Sequence, residues 1–122
     1  MNKKSRVFAF DFDGVISQYE GFVSTTHTGD PIKEVVDAIR KLKENGHKIL
    51  LHSTRGDELL KNYCIKHNIP FDYINKNPEL EGENPGKPIA FVYIDDRAVR
   101  YTGQSSDELV SELESFKAYW QK

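Results

Sequence analysis

Apolar and polar positions alternate along this chain in blocks whose periods switch between strand and helix. Residues 6–11 open with the apolar run Val7-Phe8-Ala9-Phe10, which predicts a buried parallel strand. Residues 14–30 are rich in Ser, Thr and Gly, show no helical period and predict an irregular, mobile excursion over the strand end. Asp30-Pro31 supplies an N-cap and first-turn proline. Beyond it Ile32, Val35, Val36, Ile39 and Leu42 recur at helical spacing until Gly46. Residues 48–53 predict a second strand. Residues 56–67 predict a helix with Leu59, Leu60, Tyr63 and Cys64 inward, closed by Asn68 and Pro70. Residues 71–74 predict a short third strand, 75–88 a loop with three prolines and two glycines, and 89–95 a fourth strand. Ser105 with Glu108 forms a capping-box start for a last helix on which Leu109, Leu113, Phe116 and Trp120 share one face.

Strands alternating with helices imply a parallel, three-layer α/β sheet with right-handed crossovers. At 122 residues the expectation is a single domain spanning 1–122. A net charge of −2 provides no basic field and disfavours non-specific nucleic-acid binding. One cysteine excludes a disulfide framework, and no apolar stretch suits a signal peptide or a membrane span, so a cytoplasmic protein with no membrane partner is expected.

Chemistry is expected where strands end. In open α/β sheets ligands bind outside the carboxyl ends of the strands. The first strand runs into Asp11-Phe12-Asp13-Gly14, and the fourth, through Phe91-Val92-Tyr93-Ile94, into Asp95-Asp96. If these strands are neighbours, four carboxylates converge, and such crowding needs a metal or protons. Mg²⁺ takes oxygen ligands from carboxylates and substrate phosphate. A strand-end carboxylate can also attack phosphorus, which makes Asp11 the candidate nucleophile. Asp13, two residues on, points the same way and could protonate the leaving oxygen. Ser53 closes the second strand and Lys87 precedes the fourth. A hydroxyl and an ammonium there would offset phosphoryl charge.

In that order, Asp11-x-Asp13-x-Val15, Ser53, Lys87 and Asp95-Asp96 resemble the four motifs of the haloacid dehalogenase (HAD) superfamily. The resemblance implies a Rossmann-like domain. It makes Asp11 the nucleophile, Asp13 the acid/base, Ser53, Thr54 and Lys87 the phosphate binders, and places a Mg²⁺ ligand at Asp95 or Asp96 beside Asp11 and Asp13. It implies a Mg²⁺-dependent phosphatase working on a phosphorylated substrate through an aspartyl-phosphate. The segments 14–30 and 54–86 are too short for an inserted cap domain, so the resemblance is to the capless branch, with 14–30 as a flap. Alternatives are a nucleic-acid end phosphatase, which the acidic balance disfavours, a phosphoacceptor domain, or a non-catalytic binding domain. Arg55, Arg97 and Arg100 are candidate clamps for a distal phosphate, against the commoner role of structural ion pairs. Asn75-Lys76-Asn77-Pro78 is a possible substrate contact, against a plain turn.

Overall fold

The computed structural model describes residues 4–79 and 86–121. Residues 1–3, 122 and the 80–85 part of the expected loop lie outside the described residues. Seven elements follow in chain order: β1 (Val7–Phe10), α1 (Lys33–Glu44), β2 (Lys48–Leu51), α2 (Asp57–Lys66), β3 (Tyr73–Ile74), β4 (Val92–Ile94) and α3 (Ser106–Glu114). The strands form one parallel sheet in the order β3-β2-β1-β4, an α/β fold of the expected class. No helix of the described residues is long and apolar enough to cross a membrane.

Register determines what each face buries. Phe8, Phe10, Ile49, Leu51 and Ile74 turn towards α1 and α2, where Val36, Ile39, Leu60, Tyr63 and Cys64 meet them in the main core. Burial pushes the Cys64 thiol up to about 11, as suits inert core. Val7, Ala9 and Leu50 face the other way and pack with Tyr73 and Ala90. The β3-to-β4 connection has its described ends at residues 75–79 and 86–91. They are joined by Asn77, buried, whose Nδ2 donates to the Ile89 carbonyl at 2.8 Å and whose Oδ1 accepts from the Glu79 N–H at 3.0 Å. α3 buries none of its residues, and Val110 and Leu113 remain more than half exposed.

Several boundaries differ from expectation. α1 starts at Lys33 with Ile32 as N-cap, since the backbone around Asp30 is taken by Gln18, whose N–H donates to the Asp30 carbonyl at 2.9 Å. β3 is only two residues long. Asp72 donates its N–H to the Ile49 carbonyl, and its carboxylate accepts the Ile49 N–H and the Lys43 ammonium, each at 2.8 Å. β4 is confined to Val92–Ile94, and the Phe91 N–H bonds to the Val7 carbonyl at 2.8 Å as the ladder begins. α3 ends at Glu114 after the expected Ser105–Glu108 capping box, so Phe116 and Trp120 lie beyond the helix. α2 is bounded by Gly56 and by Asn68, which takes a positive φ of 56° as a helix-ending residue does.

Candidate active site at the strand ends

Since β1 lies between β2 and β4, the turns after all three open on the same edge. A cleft of about 270 Å³ there is lined by Asp11, Asp13, Tyr19, Ser53, Thr54, Asp95, Asp96 and Arg97. A second hollow of about 350 Å³ shares Asp11, Ser53, Thr54 and Asp95, and adds His52, Asn75 and Gly86.

Asp11, Asp95 and Asp96 form the acidic centre: one carboxylate oxygen from each lies within 4.8 Å of the others. The chain reaches this geometry because the Asp11 N–H bonds to the Ile94 carbonyl at 2.9 Å, which locks the two strand ends side by side. Burial, a hydrogen bond to Asp96 and the charges of Asp95 and Asp96 push the Asp11 carboxyl up to about 8. With every carboxylate ionised, Asp96 Oδ1 is buried and has no hydrogen-bond partner. A proton on Asp11, or a cation among the three, removes both penalties. This donor set of oxygen ligands fits Mg²⁺, which Asp11, Asp95 and Asp96 could hold. Asp95 is exposed and its Oδ1 accepts the Arg97 N–H at 2.8 Å, whereas Asp96 is half-buried. Both belong to the cluster.

Asp13 departs from the expected set. Its carboxylate stays out of the trio because Arg55 binds both its oxygens, Nε to Oδ2 and Nη2 to Oδ1, each at 3.0 Å. A bidentate guanidinium matches the two oxygens of a carboxylate in geometry and charge. Arg55 also reaches the flap, where Nη1 donates to the carbonyls of Ser24 at 3.3 Å and Thr25 at 2.7 Å. The excursion 14–30 is tied at its base too. Ser17 Oγ accepts the Gly29 N–H at 2.8 Å and the Tyr63 hydroxyl donates to the Gly29 carbonyl at 2.8 Å.

Ser53 stands in the cleft in a tight turn, its Oγ accepting the Arg55 N–H at 3.1 Å while its own N–H donates to Asn75 Oδ1 at 2.9 Å. The Ser53 hydroxyl proton is therefore left to donate to a bound anion. Asn75, at a φ of 57°, also donates to Asp57 at 3.0 Å, so it fixes the Ser53 turn against the start of α2. Thr54 is exposed at the rim. Lys87 is not brought in. Its ammonium sits 4.7 Å from the centre of the Tyr93 ring, and the cleft is lined by Gly86 on that side. Tyr93 holds that segment by donating to the Pro88 carbonyl at 2.6 Å. Arg97, rather than Lys87, is the unpaired cation lining the acidic cleft among the described residues.

The far end of the chain completes the wall. Trp120 donates its indole N–H to Asp96 Oδ2 and meets the Tyr19 ring edge-on at 4.8 Å. The Tyr119 hydroxyl donates to the Gly14 carbonyl at 2.6 Å. Gly14 must be glycine here. Its φ is 80°, and a Cβ would fall 2.9 Å from Trp120 Nε1 and collide with the Asp96 carboxylate.

No family model matches this chain, and no curated protein does. Among solved structures, it is similar to a conserved protein from Bacteroides thetaiotaomicron at 28% identity and a TM-score of 0.64, covering 91% of this chain and 90% of that one. A protein from Vibrio cholerae shares the fold at 19% identity and a TM-score of 0.50, covering 89% and 97% respectively.

Proposed function

We propose that this chain is a Mg²⁺-dependent phosphomonoester hydrolase of the HAD type that works through an aspartyl-phosphate on Asp11. The observation that carries this reading is the meeting of Asp11, Asp95 and Asp96 within 4.8 Å at adjacent strand ends, with the Ser53 hydroxyl lining the same cleft.

Mg²⁺, held by Asp11, Asp95 and Asp96, would offset charge on the transferring phosphoryl group and keep Asp11 ionised. Asp11 attacks phosphorus and the bond to the leaving oxygen breaks. Ser53 donates its hydroxyl proton to a phosphoryl oxygen, and Arg97 faces the developing negative charge. Asp13, protonated from solvent on the oxygen released by Arg55, gives that proton to the leaving alkoxide, then accepts one from the water that hydrolyses the acyl phosphate. Acid–base assistance of this kind contributes about 10²–10⁴-fold. For that role Asp13 must free one oxygen from Arg55, so flap movement and proton transfer are coupled.

A second reading is favoured by that same ion pair. With Asp13 held by Arg55, the phosphoryl group on Asp11 would persist and the chain would act as a phosphoacceptor. One experiment separates the two: release of phosphate from an aryl phosphate with Mg²⁺ or with chelator, for the native chain and Asp11→Asn. Metal-dependent turnover lost in the variant supports the hydrolase. A stable acyl phosphate without turnover supports the acceptor, and neither signal rejects both.

A further inference from the structure

The cleft treats two of its acids in opposite ways. Asp13 is neutralised by a guanidinium, whereas Asp96 meets no cation among the described residues and is held by the uncharged N–H of Trp120. A neutral donor fixes the orientation of a carboxylate without cancelling its charge, which is what a ligand for a cation requires. The indole engages Oδ2 alone, and Oδ1 stays buried without a hydrogen-bond partner. Trp120 is itself held in place. Its ring packs edge-to-face on Tyr19, the neighbouring Tyr119 hydroxyl bonds to the Gly14 carbonyl, and Ala118 before it is buried. Gly14, lacking a side chain, leaves the space in which indole and carboxylate meet. These contacts join the end of the chain to the turn after β1, and none of them serves the sheet.

We propose that Trp120 is the positioning residue of the metal centre: its indole N–H fixes the Asp96 carboxylate so that the remaining oxygen is presented to a divalent cation. This inference rests on reading the acidic trio as a Mg²⁺ site. Trp120 is the single tryptophan of the chain, so its indole is also a built-in reporter of that site.

The test is calorimetric titration of the full chain with Mg²⁺, comparing the native protein with Trp120→Phe, which keeps an aromatic ring against Tyr19 but has no N–H. Loss of one hydrogen bond to a charged group weakens Mg²⁺ binding by about tenfold. In parallel, the one indole N–H resonance in a ¹H–¹⁵N spectrum of the native chain moves along the same Mg²⁺ binding curve, and loses that response in Asp96→Asn. Native binding with equal affinity in Trp120→Phe overturns the positioning role and leaves the metal site standing. Absence of Mg²⁺ binding by the native chain overturns both. Should Trp120→Phe fail to fold, the indole resonance decides: a saturable shift supports the role, and an indifferent resonance rejects it.

Discussion

Arg55 grips Asp13 by both carboxylate oxygens at 3.0 Å while its third nitrogen holds the flap carbonyls of Ser24 and Thr25. One side chain thus sets the position of the flap and the state of the expected acid/base together. The pair is well shielded, with Arg55 about 10% and Asp13 about 23% exposed.

Replacing Arg55 with Met should destabilise the chain by about 1–3 kcal/mol, because a shielded carboxylate and two carbonyls lose their donor. Urea unfolding measures this, and limited proteolysis should cut faster within residues 22–27, where Phe22 and Val23 already stand exposed. Unchanged stability together with unchanged cleavage would mean that the fork is incidental.

The metal-free chain should lose stability as pH rises. Asp11 is raised from 3.8 to about 8, so the folded chain holds this proton more tightly than the unfolded chain does. Its contribution is complete below about pH 4 and falls until about pH 8, where both states are ionised. Melting temperatures in chelator at about pH 5 and about pH 8 should differ more for the native chain than for Asp11→Asn. Parallel behaviour of the two chains would contradict the crowding of the three acids.

Mg²⁺ should stabilise the fold by mass action, by about 2.7 kcal/mol when present at a hundredfold its dissociation constant. Saturation should also flatten the pH dependence just described. Asp95→Asn and Asp96→Asn should each shrink the gain in melting temperature, and chelator should abolish it in the native chain. A gain retained in full by both variants would place the cation elsewhere.

Asn77→Ala removes the hydrogen bond that joins the described ends of the β3-to-β4 connection and a local one to the Glu79 N–H. At about 1–3 kcal/mol for a buried amide, it should lower the unfolding midpoint in urea. Asn75→Ala should act differently, because it releases the Ser53 N–H and loosens the anion site more than the core. Raised KM, beside the loss of stability that an alanine at a φ of 57° brings, is the expected signature.

The sheet and its acidic edge were legible because they follow from local rules. Apolar runs ending in Asp11 and Asp95-Asp96, separated by helical periods, leave few topologies for a parallel sheet, and those topologies bring the strand ends together. Ser53 was visible for the same reason. The Arg55 fork was not, since sequence gives no sign of whether an arginine near acids clamps substrate or pairs with a carboxylate. Lys87 was placed by its position before β4, yet position along the chain does not tell where a long side chain turns, and Tyr93 holds it. Trp120 looked like part of a helical stripe with Leu109, Leu113 and Phe116. The helix stops six residues earlier, at Glu114, and Ser115 turns its hydroxyl onto the Ser111 carbonyl at 2.7 Å.

The hydrogen bond from Tyr119 to Gly14 spans 105 residues, whereas each of the other two connections made at β1 pairs it into the sheet. With β4 already beside β1, the tail closes only the short loop from Asp96 to Trp120, but few contacts hold it there. The tail therefore opens more easily than the sheet unfolds, so Asp96 gains and loses its anchor while the strands stay paired. Amide exchange should be faster at residues 118–121 than in β1 and β2. Disorder introduced at residues 118–121 would disturb the acidic edge long before it disturbed the fold.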